Sequence, residues 1–355
     1  MKKLSLGVVF LIFALLAACS NQENSSKQQE EPKEIETEEP ATEEQPEEKK
    51  EEPTYDTVYP LTGEPAENEA AIENRVISVM VNNHSKARPQ TGLYKADVVY
   101  EVLAEGMITR FLALFHSDIP DRIGPVRSAR PYYFEIANGY DAVYVYHGAA
   151  NFINDMIRND GINFLDGAHY DNDGKLFKRS NDRRAPHNSY LLTGGIGDRL
   201  ESKGYESTKT IEPLPFKKAD GEVNGEEAAS VKVVYHEREY VTFTYDEAEG
   251  KYLRSSDGQP SVDKEDQSRI GVENVFVVET AHQVYDSAGR RKIDLKSGGN
   301  GYLFQKGQKI EVTWKNIDGR ILPFKDGEAV GFVPGQTWVN IVPESPGIKQ
   351  SVSYN

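Results

Sequence analysis

The sequence predicts an α/β domain, a mixed sheet with helices, followed by an all-β domain, and three observations carry that expectation. Between Arg75 and Ile157 apolar runs suited to strands alternate with apolar residues at helical spacing. From Val231 onward only strand-like alternation remains, cut by turn residues at Gly250, Gly258, Gly289, Gly307, Asp326-Gly327 and Pro334-Gly335. The polar stretch Ser202 to Ser230, with Pro213 and Pro215, lies between the two patterns and reads as a connection.

At the start of the chain, Lys2-Lys3, an apolar core from Leu4 to Leu16 and the small residues Ala17-Ala18 compose a secretory signal peptide. Leu16-Ala17-Ala18-Cys19 looks like a lipobox, which predicts cleavage before Cys19 and lipid attachment to its sulfur. Cys19 is the only cysteine of the 355 residues, so the mature fold would hold itself together by its core, with no disulfide. No later segment approaches the ~20 consecutive apolar residues that span a bilayer, and the lipid is the expected anchor.

From Ser20 to Pro53 the chain is Glu, Gln, Lys, Pro, Ser and Thr with Ile35 as its one large apolar residue, too little to bury a core. Thirteen acidic residues against four basic ones put −9 of the formal −16 charge in this stretch. A self-repelling segment of this kind reads as an extended tether, with an acidic partner-binding tail as the alternative. The remaining chain is also acidic, which argues against a general nucleic-acid binder. Gly194-Gly195-Ile196-Gly197 fits neither a P-loop nor a dinucleotide fingerprint and suggests a helix break or end.

The folded part is expected in this order: residues 1–19 signal peptide, 20–55 tether, 56–204 α/β domain, 205–230 linker, 231–345 β domain and 346–355 tail. Arg75 to Val81 reads as a strand, Pro89 to Gly92 as a turn, and Val98 to Leu103 and Ile108 to His116 as two strands around Glu105-Gly106. Ser128 is a candidate N-cap, with Pro131 in the first turn of a helix running to Asn138. Ala142 to Tyr146 predicts a further strand, and Phe152, Ile153, Met156 and Ile157 a second helix. Trp314 and Trp338, each within an alternating strand, are expected to fill the core rather than bind sugar.

Arg127 and Arg130 therefore flank a helix N-terminus, with Arg110 nearby in sequence, a combination that favours phosphate or carboxylate. The alternative pairs these arginines internally with Glu101, Glu105, Asp118 or Asp121. His147 ends a strand before the small residues Gly148-Ala149-Ala150, where clefts form in open sheets. Phe177 to Tyr190 carries Arg179, Arg183, Arg184, His187 and Asn188 in one loop, suited to holding an anion or to acid–base chemistry. The plain alternative makes Asn188 or Ser189 the cap of a helix containing Tyr190 to Leu192.

Asp171-Asn172-Asp173-Gly174 begins like a calcium loop, but the residues that follow lack the remaining acidic ligands, so a turn is expected. Nothing in the sequence asks for a metal or cofactor, and no nucleophile elbow occurs. Glu101 and Glu105 offer a carboxylate pair whose separation on or beside a strand does not fit adjacency.

The run VMVNNHSKARPQTGLYKADVVYEVLAEGMITRFLALFHSDIPDRIGPVRSARPYYFEIA (Val79 to Ala137) closely resembles the YerB-like family of membrane-anchored lipoproteins of Gram-positive bacteria. So do Tyr146-His147-Gly148, Phe177-Lys178-Arg179, Arg184 to Asn188, Gly289-Arg290 to Leu295, and Pro334 to Trp338. That family is defined by domains of unknown function, so the resemblance implies compartment and domain plan rather than an activity. The combined expectation is a protein lipid-anchored at Cys19 on the extracytoplasmic face of the cell membrane. Arg110, Arg127, Arg130, His147, Arg179, Arg184, His187 and Asn188 would bind an anionic cell-wall component or an envelope protein. The alternatives are a hydrolase or transferase using His147 or His187 as acid or base, and a structural scaffold.

Overall fold

Residues 57–66 and 68–355 are described by a computed structural model, and all of them lie in the compact unit Pro53–Asn355. The signal peptide, Cys19 and the whole acidic tether fall outside the described residues. No helix among those described is long and apolar enough to cross a membrane.

The Val-, Ile- and aromatic-rich segments form one large sheet. Its strands are β1 (Ile77–Asn82), β2 (Val98–Leu103), β3 (Thr109–Phe115), β4 (Val143–Tyr146), β5 (Phe164–Asp166), β6 (Asn274–Thr280), β7 (Gly299–Gln305), β8 (Gln308–Ile317), β9 (Arg320–Lys325), β10 (Glu328–Ala329) and β11 (Thr337–Pro343). Their order is β10-β9-β8-β7-β6-β11-β2-β3-β1-β4-β5, and Glu226–Glu227 adds a short strand beside β8. The mixed α/β half and the all-strand half expected from the sequence are thus both present. They meet inside a single sheet, where β11 pairs in parallel with β2 on one side and with β6 on the other.

Period-two alternation explains why the central strands are buried on both faces. Tyr100, Val102, Leu112 and Leu114 point to one face, with the helices α1 (Pro131–Asn138) and α2 (Asn151–Asn159) packed over it. Val99, Leu103, Phe111 and Phe115 point to the other, against a six-stranded sheet that includes Ser230–His236, Glu239–Asp246 and Lys251–Ser256. The strands after Val231 therefore divide among the large sheet, the six-stranded sheet and a two-stranded hairpin of His282–Val284 and Arg291–Ile293. Trp314 and Trp338 are buried, as their alternating strands required.

A polar network lies where β2 and β3 face the six-stranded sheet. Glu101 receives Arg254 Nη2 at 2.9 Å and Trp338 Nε1 at 2.9 Å, and all three side chains are buried. Thr109 Oγ1 lies 2.9 Å from Glu101 Oε1 and 3.1 Å from Glu239 Oε1, while accepting from Asn83 Nδ2 at 2.7 Å. A threonine hydroxyl has one proton for two carboxylates. Glu239 Oε1 also accepts from Arg88 Nη2 at 3.2 Å and Asn83 Nδ2 at 3.3 Å, so the two carboxylates share the donors of this network. Burial nonetheless pushes the Glu239 carboxyl up to about 7, with Glu101 and Asp257 adding to the effect and Arg88 and the Thr109 hydrogen bond opposing it.

Three local expectations are corrected. Arg130, not Ser128, is the N-cap of α1, because Pro131 with its fixed φ takes the first helical position. Ser128 Oγ instead donates to the His147 carbonyl at 3.3 Å. Gly195 opens the helix Ile196–Lys203 rather than ending one, and a Cβ there would meet the Lys175 carbonyl oxygen at 2.3 Å. Ser189–Leu192 is a strand rather than a capped helix, since Tyr190 and Leu191 are claimed by pairing with Phe177–Arg179 and Arg122–Ile123.

Candidate functional site

The segment after Gly124 carries the site. Asn82 N–H donates to the Pro125 carbonyl and Arg127 N–H to that of Met80, while His147 N–H donates to the Arg127 carbonyl. Residues 125–127 are thereby wedged between the C-terminal ends of the parallel strands β1 and β4, a position where open sheets leave clefts. Arg110 reaches the same place from β3, opposite Asn82 in register.

The result is a cleft of about 380 Å³ into which Arg110, Arg127, Arg130 and Arg290 project. Glu105 is the one carboxylate among its lining residues. It accepts from Arg110 Nη2 at 2.9 Å and from Arg130 Nε. Burial tends to raise its pKa, but the Arg130 hydrogen bond and the two guanidinium charges outweigh this and hold it below the usual carboxylate range. Arg290 is taken by Asp286 at 2.7 Å.

Arg127 has no such partner. It makes no ion pair among the described residues, and its buried Nε has no hydrogen-bond acceptor. Burial, then the like charges of Arg110 and Arg130, push its pKa down to about 10. A half-buried guanidinium without an acceptor, beside two more, leaves room for one further negative charge.

The histidines divide. His187 Nδ1 lies 2.9 Å from Asn82 Nδ2, and its ring packs on His84 with centroids 4.7 Å apart. Both imidazoles titrate below their ordinary value. Burial comes first, followed by Lys86 and Arg127 for His84, and by His84 and Arg127 for His187. His147 is placed apart, with Nδ1 at 2.7 Å from the buried Ser189 Oγ and Nε2 at 3.4 Å from Arg179 Nη2. Arg179 also pairs with Asp171 at 2.7 Å and donates to Asn188 Oδ1 at 2.9 Å. Arg183 is spent on the carbonyls of Ala87 and Pro89, and Arg184 is exposed.

The sequence-predicted set is therefore partly gathered. Arg110, Arg127 and Arg130 share one cleft, and His187 adjoins it through His84, while His147, Arg179 and Asn188 form a second cluster of mutual hydrogen bonds. Internal pairing holds for Arg110 and Arg130 through Glu105 but not for Arg127; Glu101 is taken by Arg254 and Asp118 by Lys95. His84 and Arg290 were not anticipated. The polar run Asn82-Asn83-His84 directly after an apolar strand was the available signal for the first. The expected turn at 171–174 is present, with Asp173 Oδ1 accepting from the amides of Lys175, Leu176 and Phe177 at 2.8–3.0 Å.

Comparison with known proteins fits this architecture to one family. Residues 61–206 match the N-terminal domain of "Protein of unknown function (DUF3048)", and residues 231–339 match its C-terminal domain. The chain belongs to the DUF3048 family. A Bacillus subtilis (strain 168) protein named "Putative lipoprotein YerB" is 44% identical to this DUF3048 chain over 288 residues, covering 80% of it and 86% of the relative. The crystal structure of YerB protein from Bacillus subtilis superposes with a TM-score of 0.77 at 42% identity, covering 83% of this chain and 98% of that one. Both the DUF3048 assignment and the relative's name leave the activity open.

Proposed function

We propose that this DUF3048 chain is a lipid-anchored extracytoplasmic protein that binds an anionic envelope ligand in the cleft around Arg127. The anchor is Cys19, with residues 20–55 as the tether. The observation that carries the binding reading is the Arg127 guanidinium, held half-buried between Arg110 and Arg130 with its Nε unpaired. Arg110 and Arg130 are oriented by Glu105 and supply field rather than a free fork. His84 and His187 offer further donors from the Asn82 side.

A binding role is favoured over acid–base catalysis by the carboxylate in the cleft. Glu105 is locked between two arginines and stays ionised, so it offers no proton near neutral pH, while His147 stands apart from the cleft against Ser189 and Arg179, and His187 Nδ1 is taken by Asn82. Inorganic phosphate and N-acetylmuramic acid, titrated against the chain from Pro53 onward, are expected to raise the melting midpoint, because a ligand bound only by the folded state stabilises it by mass action. Arg127→Met should remove that rise. A parent whose midpoint ignores both anions would sink the reading. For the anchor, Cys19→Ser in the full chain should abolish incorporation of a labelled fatty acid and release the protein from the membrane fraction.

A further inference from the structure

A second cavity, of about 700 Å³, adjoins the cationic cleft. Its walls come from α1, α2 and a hairpin formed by His282–Val284 and Arg291–Ile293. Chain neighbours face the two cavities: Arg130 lines the cleft and Pro131 the groove, and Arg290 lines the cleft and Arg291 the groove. Arg290 also lies over the Phe152 ring at 5.5 Å, and Phe152 belongs to the groove. The two spaces are thus separated only by a strip one residue thick in sequence. Each falls in the size range of small-molecule sites, roughly 300–1,000 Å³.

The groove is not a plain apolar slot. Phe152 and Tyr285 present rings that are each 44% exposed. The same groove is lined by Glu135, Gln283, Lys292 and Lys296, whose side chains make no hydrogen bond or ion pair with the described residues. An alkyl chain laid there would gain burial against Met156, Ile293 and Leu295 but strip water from those polar heads without replacing their hydrogen bonds. A sugar does the opposite: its C–H faces stack on half-exposed aromatic rings, and its hydroxyls reach free amide, carboxylate and ammonium groups. The cleft next door asks for negative charge.

We infer that the two cavities together take an acidic saccharide, with its carboxylate or phosphate at Arg127 and a neighbouring sugar ring against Phe152 and Tyr285. This inference rests on the anion-binding reading of the cleft and extends it to the class of ligand. Carboxylated and phosphorylated glycans share the required chemistry, and the experiment separates them.

The test uses the chain from Pro53 onward, whose core is complete, and measures binding by calorimetry. The probes are inorganic phosphate, the disaccharide of N-acetylglucosamine and N-acetylmuramic acid, a glycosylated glycerol-phosphate oligomer, neutral chitotetraose and farnesyl phosphate. The variants are Phe152→Ala and Tyr285→Ala, both surface aromatics whose loss leaves the core intact, and Arg127→Met. One of the two acidic saccharides should bind at least tenfold tighter than inorganic phosphate. Either aromatic variant should lose at least fivefold of that affinity while its phosphate affinity stays within twofold. Arg127→Met should lose both. If phosphate and saccharides alike fail to bind the parent, the anion cleft itself is wrong. If anions bind but both aromatic variants retain full saccharide affinity, only the groove assignment falls. Farnesyl phosphate binding tighter than both acidic saccharides would overturn the sugar in favour of a lipid.

Discussion

Replacing Arg127 by methionine separates stability from binding, because this arginine is held at a cost. Its pKa is pushed down to about 10 by burial and by Arg110 and Arg130. At about 1.4 kcal/mol per tenfold change in proton affinity, that depression bounds the cost of keeping it charged at about 3 kcal/mol. The side chain is only half-buried, and water screens part of the repulsion, so ~1 kcal/mol is the realistic gain on removing the charge. Methionine keeps the apolar stem and its packing. For a domain of this size the gain corresponds to a midpoint about 2 °C higher. The parent in phosphate at a hundred times its Kd gains about 2.7 kcal/mol, and the variant should gain nothing. Differential scanning fluorimetry with and without phosphate reads both quantities in one experiment. A variant that melts several degrees lower, yet still responds to phosphate, would show that Arg127 is a structural residue and refute the reasoning.

Other perturbations test the frame around the cleft. Glu101→Ala leaves Arg254 buried without its carboxylate and takes the acceptor from Trp338, so urea unfolding should show a loss of about 3–5 kcal/mol. Glu239 holds its proton to about 7 in the folded state and to about 4.5 when unfolded. Its contribution is therefore full at low pH and is lost as pH rises toward 7, on the order of 2 kcal/mol. Asp97, pushed up to about 7 by burial, has the same sign, so Glu239→Gln should flatten only part of that slope in pH-dependent denaturation. Burial and neighbouring cations hold His84 and His187 below their ordinary value of 6.5, so both gain charge only on the acid side of it, and affinity for sulfate, whose own charge is fixed there, should strengthen as pH falls from 6.5 to 5. Isothermal titration at the two pH values checks this, and a His84→Gln, His187→Gln double variant should lose most of the dependence.

Much of the local structure was legible in the residues. Pro131 and the apolar spacing after it marked α1 to its last residue, and the alternating runs marked strands because burial on a sheet face demands period two. Long-range pairing was not legible. Nothing in Val98 to Leu103 says that its parallel neighbour lies about 240 residues later at Thr337. Ser189–Leu192 reads as helix or strand with equal ease, and only its partners on either side decide. At the cleft, clustering in sequence found Arg110, Arg127 and Arg130 because one β-turn-helix passage delivers all three. It missed His84, just beyond the end of β1, and Arg290, which arrives from the C-terminal half of the chain. It also credited His147 and Arg179 with openness that their mutual hydrogen bonds use up.

The position of β11 constrains the life of the chain before it is folded. Its strand sits between β2 and β6, so the middle of the large sheet closes only once Thr337–Pro343 has been made, about 240 residues after β2. An N-terminal half emerging first would show the apolar edge of β2 to whatever is nearby, an invitation to aggregation. A protein built this way is expected to gain from a holding factor at its site of maturation and to fold slowly, as long-range parallel pairing does. Proteolytic loss of the C-terminal segment would not trim a tail; it would open the centre of the molecule.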